Sequence, residues 1–208
     1  MITLDDAFAE LPLVAILRGI RPEEASEAAA ALVESGFSII EVPLNSPEPL
    51  RSIEIMARDV GDSALVGAGT VMSPADVDAV LAAGGRLIVM PHSDPAVIAA
   101  AKRAGAACLP GVATPTEGFA ALRAGADGLK LFPGESMPPA VVKAWRAVFP
   151  KTMRLLPVGG VSPATMGPYR AAGASGFGIG SALYAPGVTP AELRSRAAAF
   201  VEAWRALP

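Results

Sequence analysis

Short apolar runs alternate along the chain with longer, alanine-rich stretches in which polar positions recur at helical spacing. The runs LVAIL (Leu13 to Leu17), FSIIEV (Phe37 to Val42), ALVGAG (Ala64 to Gly69) and RLIVM (Arg86 to Met90) predict the first four strands. AACL (Ala106 to Leu109), GLKLF (Gly128 to Phe132), RLLPV (Arg154 to Val158) and GFGIG (Gly176 to Gly180) predict four more. Between them lie PEEASEAAAALVESG, PADVDAVLAAG, DPAVIAAAKRAG, TEGFAALRAG and PATMGPYRAAG, which predict helices. Several open on Ser, Thr or Asp followed by Pro, a cap and first-turn pair, and close on Gly, which accepts the left-handed conformation beyond a helix end. Strands that alternate with helices pair in parallel through right-handed crossovers, and a sheet covered on both faces reads as near-continuous apolar runs. Eight such units (eight candidate strands) close most simply into a (β/α)8 TIM barrel, an α/β fold. An open doubly wound sheet is the competing arrangement.

Length and composition narrow this picture. At 208 residues and 52% hydrophobic, the chain can bury a sizeable core, and residues 1–208 are expected to form one domain. That length is short for the barrel, so loops must be brief. A net charge of −3 without a basic run leaves no electrostatic footprint for nucleic acid or an anionic membrane, which favours small-molecule partners. A single cysteine, Cys108, excludes an internal disulfide framework. No apolar stretch reaches the roughly 18 residues of a membrane span. The acidic start MITLDDAFAELP lacks a secretory pattern, so the expected location is the cytoplasm.

Two charged residues interrupt otherwise apolar strands. Alternate side chains of a strand face opposite ways, so Gly128, Lys130 and Phe132 share one direction, while Leu129 and Leu131 face outward against helices. Lys130 then points into the barrel near the C-terminal mouth of the sixth strand, where such barrels carry their chemistry. Desolvation there disfavours the ammonium and favours a nucleophilic amine. The other lysines, Lys102, Lys143 and Lys151, fall on helices or loops. The alternative for Lys130 is a stem that snorkels past the leucines to water. By the same parity Phe37, Ile39 and Glu41 face inward, bringing a carboxyl group and an amine into one interior. Such a pair suits carbonyl chemistry through a Schiff base, with Glu41 moving protons; a structural ion pair is the other reading.

Three glycine-rich pieces end strands. VGAGTV places Thr70 at the mouth after the third, PVGGVSP follows the seventh, and GFGIGSALY follows the eighth. Loops after the last two strands are the customary phosphate site of this fold, which makes Gly159, Gly160, Gly180 and Ser181 candidates; the alternative is that the glycines only make tight turns. GFGIGS lacks the spacing and the following βαβ unit of a dinucleotide fingerprint. The only histidine, His92, sits in MPHSDP, where a turn or helix-cap role is expected rather than metal ligation. Cys108 is expected as a small core residue.

Together, ILRG (Ile16 to Gly19), EVPLNSP (Glu41 to Pro47), GAGTV (Gly67 to Val71), GLKLFP (Gly128 to Pro133), VGGVSP (Val158 to Pro163) and GIGSALY (Gly178 to Tyr184) resemble the class I 2-keto-3-deoxy-6-phosphogluconate/6-phosphogalactonate aldolases. The resemblance runs in order over almost the whole chain. It implies a trimeric barrel that cleaves a 2-keto-3-deoxy-6-phospho sugar acid to pyruvate and glyceraldehyde 3-phosphate without metal or cofactor. It also implies Lys130 as the Schiff-base lysine and Glu41 as general acid and base. Arg18 and Thr70 match positions at the pyruvyl end, and Gly160, Gly180 and Ser181 match the phosphate site. The gluconate branch reads T-L-R-T after the glutamate and carries a threonine before the paired glycines. Here PLNSP, with Asn45, and Val158 stand instead, which resembles the galactonate branch and leaves Arg18 to hold the carboxylate. A phosphosugar isomerase or synthase, or a non-catalytic phosphate binder, would share the glycine loops without needing an inward lysine.

Overall fold

The computed structural model describes residues 2–207. The strands are β1 (Leu13–Ile16), β2 (Ile39–Pro43), β3 (Leu65–Gly69), β4 (Leu87–Val89), β5 (Ala107–Leu109), β6 (Gly111–Val112), β7 (Gly128–Leu131), β8 (Arg154–Pro157) and β9 (Phe177–Ile179). All pair in parallel, in a six-stranded sheet of order β5-β4-β3-β2-β1-β9 and a three-stranded sheet of order β6-β7-β8. The fifth expected strand is β5, and β6 is a short strand not expected from the sequence, set off from β5 by Pro110, which has no N–H for the ladder. The two sheets nevertheless meet on both sides. The Asp127 N–H donates to the Cys108 carbonyl at 3.0 Å and the Lys130 N–H to the Pro110 carbonyl at 2.9 Å. On the far side Val158 bridges to Gly178.

The connecting helices are α2 (Pro22–Glu34), α3 (Pro49–Val60), α4 (Pro74–Ala82), α5 (Pro95–Arg103), α6 (Pro115–Arg123), α7 (Pro139–Arg146), α8 (Pro163–Ala171) and α9 (Pro190–Arg205), with α1 (Leu4–Glu10) ahead of β1. Local chemistry starts them as expected. The Ser73, Thr114 and Thr189 hydroxyls each accept from the N–H three residues on, and the carboxylates of Asp76, Glu117 and Glu192 return the bond.

The strand alternation divides the core in two. Leu129 and Leu131 are fully buried in the larger cluster with the helices, and a Cβ on Gly118 of α6 would come 3.2 Å from Leu129. Val14, Ile39, Leu65, Leu87, Leu109 and Leu156 form a separate inner cluster with Leu4 and Ala7 of α1. The first helix therefore packs on the inward side chains and covers their N-terminal end, leaving the other end for polar groups. Phe37 departs from the expected parity: it precedes β2, which begins at Ile39, and packs in the outer cluster. Among the described residues no helix is long and apolar enough to cross a membrane.

Candidate active site

Glu41 and Lys130 are both buried, at 1% and 6% exposure, in the sheet interior. Lys130 pairs across the ladder with Gly111 and Leu156, Glu41 with Ile16 and Gly67. They face one void of about 10 Å³, walled otherwise by Val14, Leu109, Leu156 and Val158, which is no larger than a single water. The space for Glu41 comes from Gly69 at the end of β3, where any Cβ would fall on the carboxyl group. A side chain at 69 would displace Glu41, so this glycine is part of the site.

Burial sets the protonation of both groups. Removal from water raises the Glu41 pKa above the usual 4.5, an effect only partly opposed by the charges of Lys130 and Arg18. Removal from water lowers the Lys130 pKa below 10.5; Glu41 opposes this and Arg18 adds to it. The arrangement therefore favours a neutral amine beside a carboxyl group that holds or yields a proton. Glu41 Oε2 is buried with no hydrogen-bond partner among the described residues, whereas Lys102 and Asp127, 2.6 Å apart, form an ion pair elsewhere in the fold. An unsatisfied buried acceptor costs stability and calls for a role other than holding the strands. Lys130 Nζ lies 4.9 Å from the centroid of the Phe132 ring, which covers it without pairing it.

Above the pair opens a cavity of about 790 Å³. Arg18, Lys130 and Val158 line one part of it, and Gly159, Gly160, Gly180 and Ser181 another. Gly159 and Gly160 have φ of 119° and 63°, a turn that side-chain-bearing residues resist, and a Cβ on Gly180 would meet nothing within 4 Å. The backbone at Gly180 is bare toward the cavity and suits close approach of an anion, while the Glu135 side chain lies over Gly159. Arg18 Nη1 donates to Asn45 Oδ1 at 2.6 Å, and the Gly19 N–H donates to Ser46 Oγ at 2.9 Å. Asn45 thus acts on the cavity through Arg18 and does not line it. Thr70 does not line it either; it follows β3 at the uncommon φ of 57°.

The remaining candidates have other roles. Cys108 is buried, and desolvation followed by the Asp127 charge pushes its thiol up to about 12, too high for a thiolate. The His92 carbonyl accepts from the Gly111 N–H at 3.1 Å, as a turn residue does, while its Nδ1 is buried without a partner. Among the described residues no group of three or more His, Cys, Asp or Glu could hold a metal ion. Sequence reasoning missed Gly69 as the seat of Glu41, although GAGTV was in view, and it missed Glu135, which also lines the cavity.

This geometry can be set beside known proteins. The family model for KDPG and KHG aldolase matches residues 4–195. The chain belongs to this aldolase family. It is 48% identical over 198 residues to the probable 2-dehydro-3-deoxy-6-phosphogalactonate aldolase of Rhizobium meliloti (strain 1021), covering 95% of this chain and 93% of the relative. It is 45% identical over 196 residues to the 2-dehydro-3-deoxy-6-phosphogalactonate aldolase of Escherichia coli (strain K12), covering 94% and 96%. A solved structure described as native KDPGal superposes with a TM-score of 0.93 at 45% identity, over 94% of this chain and 95% of that one. The aldolase fold and the order of its motifs therefore extend over nearly the whole chain.

Proposed function

We propose that this aldolase cleaves 2-dehydro-3-deoxy-6-phosphogalactonate to pyruvate and D-glyceraldehyde 3-phosphate through an imine on Lys130. The observation that carries the reading is the juxtaposition of a buried amine of lowered pKa and a buried carboxyl group of raised pKa at the floor of the cavity. Neutral Lys130 attacks the C2 ketone, and Glu41 protonates the departing hydroxyl as water leaves. The protonated imine takes up the C3–C4 electron pair when that bond breaks. Glu41 receives the C4 hydroxyl proton as the aldehyde forms, then returns a proton to the enamine carbon. Water hydrolyses the new imine, freeing pyruvate and the amine. Arg18, oriented by Asn45, meets the carboxylate. The turn at Gly159 and Gly160, with Gly180 and Ser181, takes the phosphate.

Relatives that are 45–48% identical and named for the galactonate acid favour that substrate, and Val158 before the paired glycines agrees with it. In this reading the two sheets are one (β/α)8 barrel, with β5 and β6 a single strand broken at Pro110. The assembly is a homotrimer in the cytoplasm; light scattering should return three times the mass of the chain, and a monomeric mass would remove the trimer. The deciding experiment is pyruvate release from the galactonate and gluconate acids after exhaustive chelation. Release from the galactonate acid at undiminished rate is expected. Release that stops with the chelator and returns with a divalent ion would overturn the imine route.

A further inference from the structure

The cavity holds a carboxylate to which the aldolase chemistry above gives no role. Glu135 sits in the short turn Gly134–Ser136 that follows β7, five positions beyond Lys130. The turn is held from two sides: the Gly134 N–H donates to the Val158 carbonyl at 2.8 Å, and the Tyr169 hydroxyl donates to the Gly134 carbonyl at 3.3 Å. The side chain lies over Gly159, where a Cβ would come within 3.0 Å of Oε1, and near Gly160, at 3.7 Å. Its place therefore exists because Gly159 has no side chain. The six ion pairs among the described residues join other groups, so the carboxylate keeps its acceptor capacity.

We propose that Glu135 accepts a hydrogen bond from the hydroxyl on C5 of the substrate and thereby sets the preference between the two C4 epimers. The inference rests on the aldolase reading above. With the amine at one end and the glycine turn at the other, the carbons between them pass Phe132, Val158 and Gly159, whose side chains offer no acceptor. Glu135 is the one carboxylate of the cavity lining; its other side-chain acceptors, the hydroxyls of Ser162, Ser181 and Tyr184, are neutral and weaker. In a productive pose the C4 hydroxyl must reach Glu41 and the phosphate must reach the glycines. Inverting C4 under both constraints turns the C5 hydroxyl away from Glu135. Glu135 is exposed in the free chain, so the discrimination arises when the bound acid covers the carboxylate and a misplaced hydroxyl then leaves both partners unpaired.

The test compares kcat/KM for the galactonate and gluconate acids in the wild type, Glu135→Gln and Glu135→Ala. The wild type should prefer one epimer. Glu135→Ala should move the ratio at least about tenfold toward one, the scale of a lost hydrogen bond to a charged group, and Glu135→Gln, which keeps an acceptor oxygen, should keep part of it. Borohydride trapping of pyruvate should retain its wild-type rate in both variants, because pyruvate has no C5. An unchanged ratio, a wild-type ratio near one, or an equal loss of trapping in both variants would each overturn the role of Glu135 while leaving the aldolase reading intact. A wild type that cleaves neither acid would overturn both.

Discussion

Lys130→Arg should reduce cleavage by about 10⁵-fold or more, the scale on which loss of a covalent nucleophile is felt. The guanidinium keeps its proton at any working pH and cannot act as the free amine an imine requires. In the wild type, borohydride with pyruvate should inactivate irreversibly and add mass to the peptide containing Lys130. The other lysines provide an internal control. Lys102 donates to both Asp127 oxygens, at 2.8 and 2.6 Å, and so is engaged away from the cavity. Lys143 lies on α7 and Lys151 in the turn before β8, neither of them in the cavity. Label on any of the three would remove Lys130 from its role. Residual activity of Lys130→Arg near the wild-type rate would do the same.

Much of this arrangement could be read from the chain because strand parity is a strict rule. Leu129 and Leu131 pack outward and Lys130 inward, as two-residue alternation requires, and Glu41 shares that interior. Several helix starts were equally legible, since Ser-Pro, Thr-Pro and Asp-Pro steps carry their own caps, whereas α2, α3 and α7 follow Arg21, Glu48 and Pro138. What escaped depended on contacts between segments distant in sequence. Phe37 continued the parity of β2 on paper, but the strand starts only where its ladder does, at Ile39. The expected run ended at Leu109, and the short strand Gly111–Val112 beyond Pro110 carried no apolar run of its own to mark it. The first helix gave no strong pattern in seven residues, and its importance lies in what Leu4 and Ala7 cover. Gly69 and Glu135 were missed for a similar reason. A glycine that seats a carboxyl group from the next strand, or a glutamate folded over Gly159 from another loop, is visible only in three dimensions.

Glu41→Gln separates proton transfer from shape and from stability. The amide fills the same space over Gly69, so Lys130 should stay in place and the chain should fold. What it cannot do is exchange a proton, and general acid–base assistance is worth about 10²–10⁴-fold. Turnover should fall by that order, while affinity for the phosphorylated acid changes little if, as proposed, the phosphate is held apart from Glu41, at Gly160 and Gly180. Deuterium exchange at the pyruvate methyl should fall in parallel, since it uses the same enamine and the same carboxyl group without breaking a carbon–carbon bond. Stability should move the opposite way. With a folded pKa raised above the unfolded 4.5, the folded chain retains a proton that the unfolded chain has lost. Between those two values stability falls as pH rises, and above the folded pKa the loss is complete. Glutamine has nothing to titrate there. Thermal melts of the variant should lack that decline and, at neutral pH, should lie at or above those of the wild type. A variant that kept cleavage and exchange near normal but melted well below the wild type would make Glu41 a structural partner of a buried cation and would send the search for the proton shuttle to other groups of the cavity.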